Sequence, residues 1–139
     1  MSRDPSTSFP TRLGRALRRQ CPRCGAAAFE SYFTLKQDCD SCGLRFEREP
    51  GYWAGALIVN TAFIFATFVV TFGAGILVTW PDVPWTGFLF VLVIINGVVP
   101  ILFYPQSKTV WSAMELGWHP LEPEEIDAAA SRVITGLTR

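Results

Sequence analysis

Four cysteines are the residues of this chain best suited to chemistry, and they fall in two short pairs. Cys21-Pro-Arg-Cys24-Gly25 is followed by Cys39-Asp-Ser-Cys42-Gly43, with fourteen residues between Cys24 and Cys39. A tight turn over C-x-x-C sets two thiolates on one edge of a tetrahedron. Two such turns complete four-coordination of zinc, with bonds of about 2.3 Å. The glycine after each second cysteine permits positive φ and lets backbone N–H groups point at the sulfurs. Cys21, Cys24, Cys39 and Cys42 are therefore the expected ligands of a structural Zn2+, since four thiolates leave no open position for water or substrate. Disulfides would need an oxidising compartment, and a thioredoxin-like redox pair would come singly with a βαβ pattern that the chain lacks.

Such a site needs a scaffold, and the spacing predicts a small zinc ribbon of β-hairpin knuckles over residues 21–48. Phe29, Tyr32, Phe33, Leu35, Leu44 and Phe46 are its apolar residues. A segment of about thirty residues buries too little to fold unaided, so the metal is expected to supply much of its stability.

The rest of the chain does not read as a soluble globule. Half of its residues are hydrophobic and only 17% are charged, and the charges avoid the centre. Between Gly51 and Pro81 there is no Asp, Glu, Lys, Arg or His; after Asp82 the gap reopens until Lys108. A core helix of a soluble protein would carry charges on its wet face, so lipid is the expected surroundings, in an α-helical transmembrane hairpin. The spans are residues 51–80 and 86–104, joined by a turn with Pro81 and Pro84. Tyr52, Trp53, Trp80, Trp85 and Tyr104 sit at their ends as interface anchors. Nine of the twelve Lys and Arg residues precede residue 50, and the turn has none; the positive-inside rule then places both termini in the cytoplasm. The first apolar run begins past residue 50, so no cleavable leader is expected.

Within the spans the notable polar residues are Asn60 and Asn96. Each lies about eight residues from the cytoplasmic end of its span, and Pro100 leaves the Asn96 carbonyl without its helical donor. The expectation is a structural polar clamp, with Asn60 crossing the hairpin to hydrogen-bond the region of Asn96 and Pro100. Gly51, Gly55, Gly73, Gly75, Gly87 and Gly97 offer close helix approach. Gly51-x-x-x-Gly55 leaves a homo-oligomer open, although it lies at the membrane edge.

Amphipathic segments flank these modules. Residues 1–20 form a basic N-terminal segment in which Leu13, Ala16 and Leu17 share a helical face beside Arg12, Arg15, Arg18 and Arg19. It would either lie on an anionic leaflet or lead, solvated, into the zinc module. Residues 107–119 read as an interfacial helix, capped by Ser107, with Val110, Trp111, Met114 and Trp118 on one face. Residues 123–137 read as an acidic amphipathic helix, with Glu124, Glu125 and Asp127 early and Ile126, Ala129, Ala130, Val133, Ile134 and Leu137 on its apolar face. That face should dock on the ribbon, the bilayer or another protein.

Catalysis has no machinery to use: no Ser-His-Asp set, no phosphate loop, no paired buried carboxylates, and a single histidine, His119, expected in a surface turn. Net charge is zero, and Arg23, Lys36, Arg45 and Arg48 are mixed with Glu30, Asp38, Asp40, Glu47 and Glu49, which disfavours a nucleic-acid surface.

Cys-Pro-Arg-Cys-Gly at 21–25, Cys-Asp-Ser-Cys-Gly-Leu-Arg-Phe at 39–46, Gly-Tyr-Trp-Ala-Gly-Ala at 51–56, Tyr-Pro-Gln-Ser-Lys at 104–108 and Trp111-Ser-Ala, in this order, resemble the bacterial family called Domain of Unknown Function 983. The similarity covers about residues 10–122. It implies a bacterial inner-membrane protein with two spans and a zinc ribbon, without an established activity. Some members are found near genes for haem-copper oxidase assembly. The expected function is a non-enzymatic scaffold or adaptor in the bilayer, with a membrane-protein partner. The alternatives are an assembly or metal-handling factor for a respiratory oxidase, and a membrane-tethered nucleic-acid binder.

Overall fold

The computed structural model describes residues 8–137. Residues 1–7 of the basic segment, and the Leu137 side chain on the last apolar face, lie outside the described residues. Four helices carry the chain: α1 (Phe9–Leu17), α2 (Trp53–Thr79), α3 (Trp85–Trp118) and α4 (Pro123–Leu137). The cysteines lie between α1 and α2.

Helices α2 and α3 are long and apolar enough to cross a membrane. None of the most apolar 18-residue stretch of α2 is buried, and only 17% of that of α3 is. That separates them from the core helices of a soluble protein, which hide such surface. Ile58, Phe65, Val70, Leu77, Phe90, Val93 and Ile101 all face outward. Three hydroxyls within the apolar stretches turn back on their own helices: Thr61 Oγ1 donates to the Leu57 carbonyl at 2.8 Å, Thr67 Oγ1 to Phe63 at 2.8 Å and Thr79 Oγ1 to Gly75 at 2.7 Å. An apolar solvent offers them no other partner.

The two helices pack as antiparallel neighbours, and glycine sets their approach at two levels. A Cβ on Gly55 would stand 2.1 Å from the Trp111 ring, and one on Gly75 2.1 Å from the Phe88 ring. Between them Phe63 stacks on Phe103, with centroids 3.8 Å apart. Gly51, Gly73, Gly87 and Gly97 face open space.

The structure corrects the expected division of residues 86–119. In place of a span ending at 104 and a separate interfacial helix over 107–119, α3 runs unbroken for 34 residues through Pro100 and Pro105. At about 1.5 Å per residue it is roughly 50 Å long, well beyond a hydrocarbon core of about 30 Å. A proline inside a helix costs about 3 kcal/mol. Here packing outweighs that cost, because Pro105, Ser107, Thr109, Val110, Ser112, Ala113 and Leu116 are all buried.

Much of that burial comes from α1. Ala16 packs against Val110 and Ala113, with Leu13, Val59 and Met114 around them. Thr109 Oγ1 donates to the Ala16 carbonyl at 2.8 Å and Arg12 Nη1 to the Leu116 carbonyl at 3.0 Å. The basic helix thus docks on protein along Leu13 and Ala16, which neither expectation for it included, while Leu17 stays half exposed.

Candidate metal centre

Two copies of one turn build the site. In the first, Cys21 N–H donates to the Ala26 carbonyl and Gly25 N–H to the Cys21 carbonyl, both at 2.8 Å. In the second, Cys39 N–H donates to Leu44 at 2.9 Å and Gly43 N–H to Cys39 at 2.8 Å. Gly25 and Gly43 hold φ of +84° and +63°, the left-handed conformation expected after each second cysteine. Backbone N–H groups also face the sulfurs: that of Cys24 on Cys21, those of Cys42 and Ser41 on Cys39, and that of Leu44 on Cys42.

Each turn is closed by a single antiparallel bridge, Gln20 with Ala27 and Asp38 with Arg45, and a third joins Phe29 to Leu35. No β-strand forms among the described residues, so the expected β-hairpin ladders are reduced to isolated bridges. Nor does the module supply its whole core. Leu44 and Phe46 are buried with Cys21, Ala28 and Cys39, but Leu116 of α3 completes that cluster, flanked by Trp53 and Leu121. Tyr32 and Phe33, expected inside, are exposed at the tip of the loop between the turns. Tyr32 Oη donates instead to the Leu102 carbonyl of α3 at 3.0 Å.

All four sulfurs lie within 4.8 Å of one another. Cys21 and Cys42 Sγ are 3.8 Å apart, and Cys24 and Cys39 Sγ 3.5 Å. A tetrahedral tetrathiolate with bonds of about 2.3 Å has edges of about 3.8 Å, so the cluster fits a metal ion. Electrostatics point the same way. Hydrogen bonding from Cys21, then Cys42, holds the Cys39 thiol well below its ordinary range. The bond to Cys39, then that to Cys42 and burial push Cys21 well above it. Cys42 is pushed up to about 12: its contact with Cys21 lowers it, but the bond to Cys39 and burial outweigh that. Sulfurs this close cannot all ionise without a cation among them.

Helix α4 closes the module from outside. Its backbone approaches Gly43 so closely that a Cβ there would stand 2.0 Å from the Ala129 carbonyl oxygen. Ala129 is buried, and Arg132 Nη1 donates to the Gly43 carbonyl at 3.0 Å. Of the three expected docking places for this helix, the structure takes the cysteine module. Arg48 then ties the parts together, bonding Glu125 through Nε and Nη2, Glu115 through Nη1 at 2.8 Å, and the His119 carbonyl at 3.1 Å. Its guanidinium is thereby committed to carboxylates. In the sequence Arg48 is one of several mixed charges before α2; its partners are 67 and 77 residues away, and no local pattern signals them. His119 is exposed in the expected turn, with Nδ1 3.8 Å from Glu115 Oε1.

The polar clamp does not form as expected. Asn60 Oδ1 is buried without a partner, and Asn96 Nδ2 donates within its own helix to Leu92 at 2.9 Å, leaving its Oδ1 unpartnered. The register explains why. With Gly55 against Trp111 and Phe63 against Phe103, Asn60 lines a hollow with Pro100, Ile101 and Tyr104 and stands level with about Gln106. Asn96 lies about three turns further along α3 from that level.

Two helices long and apolar enough to cross a membrane, with a four-cysteine cluster, fit a membrane protein with a candidate metal centre. The family model described as "Protein of unknown function (DUF983)" matches residues 29–116, more than half of the chain, and the chain belongs to that family. The match takes in Cys39, Cys42, α2 and nearly all of α3, and begins after Cys21 and Cys24. Neither the curated proteins nor the solved structures give a match.

Proposed function

We propose that the protein is a non-enzymatic integral membrane scaffold or adaptor of the bacterial cytoplasmic membrane. In this reading α2 and α3 span the bilayer, both termini are cytoplasmic, and a structural zinc ribbon presents a protein-binding surface at a fixed height above the lipid. The observation that carries it is the mutual approach of four sulfurs to within 4.8 Å on a module bolted to the end of α3. Four thiolate donors saturate a tetrahedral zinc, which suits architecture rather than turnover. The bonds from Tyr32, Arg12 and Arg48 to α3 and its end support a rigid mounting. Purification at native expression in mild detergent tests it. A stoichiometric membrane-protein partner should accompany the intact chain and be lost from a Cys39→Ser variant; recovery of the bare protein overturns the proposal.

One observation favours a second reading, a metal-handling or assembly factor for a respiratory oxidase. Cys24 is exposed, so one edge of the centre is open to an incoming ligand. Zinc that exchanges within minutes against a chelator, with oxidase activity lost in a deletion strain, would support it; inert zinc and normal oxidase would dispose of it.

A further inference from the structure

A second cavity, of 350 Å³, opens between the cysteine module and the start of α2. Lys36, Arg45, Glu47, Trp53 and Lys108 contribute to its lining. Trp53 is the first residue of α2, and Lys108 lies four residues past Tyr104, so the cavity sits where the apolar stretches end. The Lys108 ammonium stands 5.2 Å from the centroid of the Trp53 ring and 5.1 Å from that of Tyr104, held over two aromatic faces. Lys36 is paired with Asp40. Arg45 and Lys108 make no ion pair with any described residue. Against the one lining carboxylate, Glu47, these two cations leave a single positive charge.

We propose that this cavity binds a phosphate oxyanion at the bilayer surface, carried by the headgroup of an acidic phospholipid or by free phosphate. One net positive charge matches one phosphodiester. An aromatic ring at the headgroup level and two cations free of ion pairs are the elements by which membrane proteins hold anionic headgroups. Glu47 faces the same cavity and disfavours more highly charged anions. The placement of this cavity at the bilayer surface rests on the membrane reading above, whereas its anion-binding cations do not.

Native mass spectrometry of the full-length protein in detergent tests this with three probes: phosphatidylglycerol, phosphatidylcholine and inorganic phosphate. The native chain should retain phosphatidylglycerol over phosphatidylcholine. Arg45→Gln with Lys108→Gln should weaken retention about thirtyfold, while Arg18→Gln, outside the cavity, should leave it unchanged. Inorganic phosphate binding as tightly, with the same loss in the double variant, assigns the site to the free ion. Equal retention of both lipids without phosphate binding, or a double variant that binds like the native chain, overturns the proposal. Unchanged metal content verifies that the variant folds, and Arg45→Lys with Lys108→Arg should keep binding. Carbonate extraction reports separately on membrane insertion, so failure of that reading is distinguishable.

Discussion

Arg48 grips both carboxylate oxygens of Glu125, from Nε at 2.8 Å and Nη2 at 2.7 Å, and joins the segment before α2 to the helix that ends the described chain. Its third nitrogen reaches Glu115 of α3. One guanidinium thus fixes how three parts of the molecule meet, with only 13% of its side chain exposed.

Replacing Arg48 by Gln would leave two carboxylates facing each other. The expected loss is about 2–3 kcal/mol in the docking of α4, read as faster hydrogen exchange over residues 123–137 with α2 unchanged. Glu125→Gln should cost about 1 kcal/mol.

The same pair gives α4 a pH dependence. Arg48 holds the Glu125 carboxyl below its ordinary value of 4.5. Its contribution is therefore complete above pH 4.5 and is lost as pH falls through the lower folded value. Exchange protection of α4, corrected for the intrinsic pH effect, should decline in that acid range, and Glu125→Gln should flatten the decline.

Glycine substitutions should divide by location. Gly43→Ala combines a φ of +63° with a 2.0 Å approach to the Ala129 carbonyl, and Gly55→Ala drives a methyl into Trp111. The first should release α4 and the second loosen the hairpin, each by about 1–3 kcal/mol. Gly73→Ala, which faces open space, should stay within about 0.5 kcal/mol in a detergent-resistance assay.

Asn60→Leu should leave hairpin stability unchanged or raise it by up to about 1 kcal/mol, because the Asn60 side-chain oxygen Oδ1 has no partner to lose. A loss of more than that in steric-trap unfolding would reveal a clamp partner for this residue.

The two charge-free stretches and the paired C-x-x-C-G turns were legible in the sequence because each is a local pattern: a bilayer's length of apolar residues, or a turn whose glycine must adopt positive φ. The continuity of α3 was not. Pro105 reads locally as a stop, and the turns that follow it are buried by residues distant in sequence: Leu13 and Ala16 of α1, Val59 of α2 and the cysteine module. The Asn60 clamp failed for a related reason. Counting from the span ends fixes depth only if the ends are level, and here Trp111 and Phe103 set a register that leaves Asn96 deeper than its supposed partner.

The most direct test of the account is the metal and thiol content of the protein extracted from membranes under reducing conditions. One zinc per chain, with the four cysteines reacting only after the metal is chelated, is the predicted result. Thiols that are intact and freely reactive, with no bound transition metal, would contradict it.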